Sequence, residues 1–179
     1  REVIAEGARG NVLQTFEDKP MNFDAWDVDL YYQEKMREID HLTAVEVHEV
    51  GPIRGSLKLT WEFYDSTITQ YITVYRHSPR IDFITKANWQ EKQTLVKVAF
   101  PVDVRSTKAT FDIQFGNMER PTHWNTSWEH ARFEVVGHKW VDLSEGNFGV
   151  SLLNDCKYGH DVKDNVIRLT LIKSSIEPD

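Results

Sequence analysis

Hydrophobic and polar residues alternate with a period of two along most of the chain from residue 42 onward. In "SLKLTWEFY" (56–64), Leu57, Leu59, Trp61 and Phe63 share one face, while Lys58, Thr60 and Glu62 take the other. That is the pattern of a half-buried antiparallel strand. A helix would scatter the four apolar side chains around its circumference; a strand buries them together, at about 2 kcal/mol each. "TITQYITVYRH" (67–77), "IDFITKANWQ" (81–90), "TLVKVAF" (94–100) and "ATFDIQF" (109–115) continue the pattern. Ser78-Pro79 is expected to end one strand and open a turn. With "RFEVV", "HKWVDL", "FGVSLL" and "VIRLTLIK", the run-and-turn rule predicts about ten strands and almost no helix.

Residues 1–41 break the pattern. "FEDKPMNFDAWDVDLYY" (16–32) mixes aromatics with aspartates and holds no sustained period. This region is expected to be irregular, with at most a short helix near 30–38 that has no apolar stripe. Many short strands without intervening helices imply an all-β, antiparallel fold. So many strands curl or split into two packed sheets, so the expected architecture is a large antiparallel β-sandwich. No repeat of fixed length suggests a propeller or solenoid. No Gly-, Ser- or Pro-rich linker divides residues 1–179, which are expected to form part of one domain.

Composition narrows the class. The 179 residues suit one domain with a real core, and 40% hydrophobic with 12% aromatic residues is globular. The net charge of −7 comes with no basic cluster, which argues against nucleic acid as a partner. No apolar run approaches the length of a membrane span. Cys156 is the only cysteine, so no internal disulfide can form, and a reducing cytoplasm is the expected compartment. Asn125-Thr126-Ser127 fits the glycosylation sequon, a match without meaning in that compartment. The chain opens on Arg1 and ends at "SSIEPD", so it is expected to be incomplete at both ends.

Spacing reveals no catalytic centre. The seven histidines form no HExxH motif and no close pair, and a zinc site takes three or four protein ligands. Cys156 and His160 are a lone pair. Asn154, Asp155, Asp161 and Asp164 lack the EF-hand spacing. No GxSxG elbow is present. Carboxylate pairs such as Asp24 with Asp27, or Glu129 with Glu134, are what an acidic surface supplies. The aromatics say more. Trp61 and Trp89 fall among apolar strand neighbours and are expected in the core. Trp26, Trp124, Trp128 and Trp140 lie among polar residues. Such a tryptophan either covers the apolar face of a sugar, with Asn, Asp and Arg on its hydroxyls, or buries itself under a loop. "RPTHWNTSWEHARFE" (120–134) concentrates Arg120, Trp124, Asn125, Trp128 and Arg132 with almost no aliphatic residue.

Three stretches, "FEDKPMNFDAWDVDLYY", "NMERPTHWNTSWEHARFEVVGHKWVDLSE" and "GVSLLNDCKYGHDV", resemble the C-terminal β-domain of glycoside hydrolase family 38 α-mannosidases. The likeness is to the branch with bacterial and cytosolic enzymes, and it runs from Asn11 to Asp179. It implies a galactose-mutarotase-like β-sandwich (a supersandwich). It also implies a zinc-dependent, retaining enzyme that removes terminal mannose from oligosaccharides. The zinc ligands and catalytic carboxylates of the family belong to an N-terminal catalytic barrel domain, and no position here matches them. No cofactor is therefore expected in this chain, and zinc is expected in that other domain. The resemblance further implies that β-domain residues, an arginine among them, reach the sugar site. The matching candidates are Arg120, Trp124 and Asn125, with Trp26 and Asp27 from the first motif. Contact with the catalytic domain remains an equal explanation, since Trp and Arg also anchor interfaces. The partners expected are a mannose-containing oligosaccharide, the catalytic domain, and a second copy of the chain if sheet edges are exposed. A stand-alone carbohydrate-binding or structural sandwich is the alternative reading.

Overall fold

The computed structural model describes residues 1–176. Its strands are, in chain order, β1 (Val12–Glu17), β2 (Met36–Glu38), β3 (Leu42–Val50), β4 (Arg54–Phe63), β5 (Ser66–Tyr75), β6 (Ser78–Asn88) and β7 (Thr94–Pro101). They continue with β8 (Lys108–Ile113), β9 (Gly116–Pro121), β10 (Val135–Val136), β11 (Trp140–Glu145), β12 (Phe148–Leu153), β13 (Gly159–Lys163) and β14 (Val166–Ser174). A 3-10 turn, Tyr32–Lys35, and a short helix, α1 (Ser127–His130), complete the named elements. The chain divides into two compact units, residues 1–38 with those from 93 onward, and Ile39–Lys92.

The first unit is the expected antiparallel β-sandwich. A six-stranded sheet in the order β10-β13-β14-β7-β1-β2 faces a four-stranded sheet in the order β12-β11-β8-β9. Phe111, Val141 and Leu143 from the smaller sheet form one core with Val162 and Ile167 from the larger. Val102 and Val104, fully buried in the connection after β7, belong to the same cluster.

Strand β7 explains the larger sheet. It lies between β14 and β1, and Leu95, Val96, Lys97, Val98 and Ala99 are all buried. Phe100 packs on the sandwich core, and alternation puts Val96 and Val98 on that side. Leu95 points the other way, into a cluster with Phe16 and Tyr32 against which Val28 and Phe133 pack. Lys97 and Ala99 share this second face. The sheet is thus covered on both sides, by its partner sheet and by segments around Val28–Tyr32 and Phe133. A strand buried on both faces reads as a near-continuous apolar run rather than a clean alternation, which is how "TLVKVAF" reads.

Three expectations need correction here. Residues 1–41 are not uniformly irregular, because β1 runs through them as an interior strand. It pairs with β7 from Val12↔Ala99 to Glu17↔Thr94. Gln14 and Thr15 interrupt its apolar run, yet both are buried. The short helix near 30–38 is only the 3-10 turn. Met36 is already extended, at φ −89° and ψ 140°, and pairs with Phe16. The Ser78-Pro79 turn lies earlier than expected, since β5 ends at Tyr75 and β6 begins at Ser78. Proline is tolerated there because β6 is an edge strand and needs no ladder donor on its outer side.

The second unit is a four-stranded meander, β3-β4-β5-β6. Registers Val47↔Leu57↔Ile72↔Phe83 and Val45↔Leu59 gather its apolar residues on one face. Trp61 is in the core as expected, but Leu57 is exposed and Leu59, Phe63 and Trp89 are only half-buried. Within this unit no second sheet covers that face.

Candidate functional site

The stretch 120–134 is ordered by its own side chains. Thr126 begins α1 with a reciprocal capping box: its Oγ1 accepts the Glu129 N–H at 3.3 Å, and Glu129 Oε2 accepts the Thr126 N–H at 2.9 Å. Both donors would otherwise be orphaned at the helix start. The same carboxylate oxygen lies 3.4 Å from His123 Nδ1. The Trp124 ring lies 5.0 Å from that of His130, and Lys163 Nζ sits 4.1 Å from the Trp124 ring centroid. At the end of β9, the Arg120 guanidinium lies 4.5 Å over the buried ring of Phe111. These are cation–π contacts, which hold both side chains in place.

Arg120 and Trp124 therefore meet at one small cavity of about 20 Å³, also lined by Phe111, Glu129, Arg132 and Asp161. That is room for about one water-sized group, so a hexose ring does not fit inside it. Burial first, and then the like charge of Arg132, push the Arg120 guanidinium below its ordinary pKa. Asn125 is exposed and does not line the cavity. Trp26 is 77% exposed and Asp27 is exposed, and neither lines it. Asp27 accepts the Val28 N–H at 2.9 Å through its carboxylate, and its carbonyl accepts from Lys173 Nζ at 2.8 Å. This earlier segment approaches the 120–134 stretch through Tyr31, whose ring lies 6.1 Å from that of His130. Among the described residues no group of three or more His, Cys, Asp or Glu side chains is placed to hold a metal ion, so the residues described do not fit a zinc site.

The densest polar construction lies on the second face of the six-stranded sheet, where sequence reasoning did not look. Lys97 is fully buried. Its ammonium donates to Asp161 Oδ2 at 2.5 Å, to Tyr32 Oη at 3.0 Å, and to Glu134. Asp161 Oδ1 accepts from Arg168 at 2.8 Å, and Arg168 also donates to Gln14 at 3.0 Å. Thr170 donates to Glu134 Oε1 at 2.5 Å. Register explains the gathering, because Gln14 and Thr170 both lie opposite Lys97, and Asp161 lies opposite Arg168. Tyr32 and Glu134 come from the covering segments.

Burial alone would lower the Lys97 pKa, but the carboxylates of Asp161 and Glu134 outweigh it and hold the ammonium above its ordinary value. Burial pushes the Tyr32 hydroxyl up to about 12. An ammonium has three protons, and all three are donated here, to Asp161, Tyr32 and Glu134, so Lys97 is held as a charged cross-link. The cluster is a clamp that ties the segment ending in Glu134 to the sheet. The signal for it was a lone lysine inside an apolar strand, a pattern that marks burial on both faces rather than a solvent-facing position.

Nearby, His160 is fully buried on the sandwich side, its ring 6.4 Å from that of Phe111. Nδ1 lies 3.1 Å from the Tyr158 carbonyl oxygen. A carbonyl can only accept, so Nδ1 carries the proton and Nε2 is left without a partner. Burial pushes the imidazole pKa down to about 4.

Comparison with known proteins places this architecture. Residues 1–179 match the family described as "Glycosyl hydrolases family 38 C-terminal domain". The whole chain aligns with human "Alpha-mannosidase 2C1" at 43% identity over 181 residues, covering 17% of that protein. It aligns with "Alpha-mannosidase G" of Dictyostelium discoideum at 45% identity over 188 residues, again 17% of the relative. The chain thus spans about a sixth of the length of the curated relatives it matches. Among solved structures, an alpha-mannosidase from Enterococcus faecalis V583 superposes with a TM-score of 0.79. That match covers 94% of this chain and 22% of the other at 18% identity, which supports the fold. On the match across its full length, the chain belongs to the glycosyl hydrolase family 38 C-terminal domain family.

Proposed function

We propose that this domain serves a zinc-dependent, retaining α-mannosidase that removes terminal α-mannose from oligosaccharides in the cytoplasm. The observation that carries the reading is the family match over residues 1–179, together with α-mannosidase relatives that are 43% and 45% identical over the whole chain. In this reading the zinc site and catalytic carboxylates lie in the part of such an enzyme to which this chain has no counterpart. Retention needs two carboxyl groups flanking the sugar, one as nucleophile and one as acid and then base. The residues here contribute position instead. Arg120 and Trp124 are held over one cavity by cation–π contacts, and the Lys97 clamp fixes the segment that follows them. Their role is to present a polar and aromatic edge to the sugar site or to the catalytic domain beside it.

Two results are expected. The purified 179-residue chain should show no hydrolysis of an aryl α-mannoside, with or without added zinc; zinc-dependent turnover would overturn the division of labour. In a full-length enzyme carrying this domain, Arg120→Ala should lower kcat/KM by roughly ten-fold, the value of one charge-assisted hydrogen bond. The thermal transition should persist. Unchanged kinetics would remove Arg120 from the site.

A further inference from the structure

Arg120 and Arg132 line the same cavity, and neither forms an ion pair among the described residues. Arginine ion pairs among the described residues involve Arg1, Arg9, Arg54, Arg80 and Arg168; Arg120 and Arg132 are outside that set. Arg120 Nη1 is buried and has no hydrogen-bond acceptor. The two carboxylates that border the cavity are committed elsewhere. Asp161 gives one oxygen to Lys97 and the other to Arg168. Glu129 is held in the capping box and lies beside His123. Two like charges thus border a space of about 20 Å³, one of them with a donor atom left without an acceptor.

A buried donor left without an acceptor is costly, and more so on a charged group. Two guanidiniums in one place are also a fork for planar, doubly bonded oxygen anions. We propose that the Arg120–Arg132 cavity is a socket for one anionic oxygen group, a carboxylate or a phosphate, supplied from outside the described residues. The cavity that both arginines line has room for about one oxygen atom, so the rest of the group would lie outside it, toward the exposed Arg132. A neutral sugar hydroxyl would satisfy the Arg120 donor but leave both charges uncompensated. Trp124 forms one wall, so occupancy also stiffens the stretch that leads into α1. The socket goes beyond the proposed function, because it concerns charge and is tested on the chain by itself. Its failure would leave the kinetic test of Arg120 standing, and the reverse holds too.

The two sources share one chemistry and separate in the experiment. Sodium acetate and inorganic phosphate are each titrated into the 179-residue chain at pH 7 and constant ionic strength, with chloride as control. Arginine Nε–Hε signals are followed by NMR. The Arg120 and Arg132 signals should move saturably with acetate or with phosphate, and not with chloride. The stronger of the two identifies the source as a protein carboxylate or a phosphate ester. Arg132→Gln should weaken binding roughly ten-fold. Arg132 is exposed, so this variant keeps its amide spectrum, which serves as the folding control. Shifts that never saturate, that spread equally over the other arginines, or that survive Arg132→Gln unchanged would overturn the proposal.

Discussion

Replacing Lys97 with methionine is expected to cost about 3 kcal/mol of stability, the lower part of the range for breaking a buried ion pair. The measurement is urea unfolding at pH 7, where a lower midpoint at constant slope reports lost stability. The magnitude follows from what remains. Methionine fills much of the lysine volume, so little cavity is created. Asp161, 3% exposed, keeps Arg168 as a partner. Glu134, 19% exposed, keeps its bond from Thr170 and a long one, 3.4 Å, from the Tyr32 hydroxyl, but loses the ammonium. One carboxylate is thus stranded in a part-buried position, while the other is only weakened.

The pairing can be isolated by adding Glu134→Gln to Lys97→Met. The double variant should be less damaged than the sum of the two single changes, because the stranded charge is gone. The sign of any pH dependence is fixed by direction. The folded pKa of Lys97 is raised, so its contribution is complete below the ordinary lysine value of about 10.4 and declines only as pH rises through the folded value. A measurement at pH 7 sits on the plateau. A loss below about 1 kcal/mol, the value of an exposed pair, would show that the clamp does not hold.

Acid is expected to destabilise the protein through His160. Its folded pKa is pushed down to about 4 from the ordinary value of about 6.5, burial being the leading cause. Between those values the unfolded chain takes up a proton that the folded chain refuses. Stability is therefore whole above about pH 6.5 and is lost as pH falls through the folded value, by about 3 kcal/mol at most. The groups around the imidazole agree in part: Lys97 and Arg120 oppose its charging, and Asp161 favours it.

Urea midpoints at pH 7, 6, 5 and 4 should fall progressively. In His160→Gln, which cannot titrate, the fall over this window should flatten. Asp18 acts in the opposite sense. Burial raises its pKa despite Lys173, so acid relieves its desolvation cost. That effect belongs near the carboxylate range and survives in the His160 variant. A wild-type curve flat from pH 7 to 4, or an equally steep one in His160→Gln, would remove the histidine from the explanation.

Much of the fold was legible. Strands β4, β5 and β8 follow from period-two alternation, β7 from its short apolar run, and the antiparallel sandwich from many short strands without helices. Strand β1 was not legible, because Gln14 and Thr15 are buried polar residues whose partners come from elsewhere. Gln14 accepts from Arg168, and Thr15 donates to the Arg37 carbonyl at 3.1 Å. The exposure of Leu57 was not legible either: alternation says which residues share a face, and not what covers that face. At the site, "RPTHWNTSWEHARFE" stood out by composition, and its Arg120 and Trp124 do meet. Arg132 was visible in the same stretch, but nothing in the spacing paired it with Arg120.

The order of residues alone determined a β-rich chain with one aromatic, polar stretch, because side-chain period and turn chemistry are local properties. Which buried charges would neutralise one another was decided in three dimensions. Lys97 lies 37 residues from Glu134 and 64 from Asp161 along the chain, and only strand register and loop closure bring them within hydrogen-bonding distance. That Arg120 and Arg132 border one cavity is likewise a fact of the folded chain, because twelve residues and a helical turn separate them in sequence.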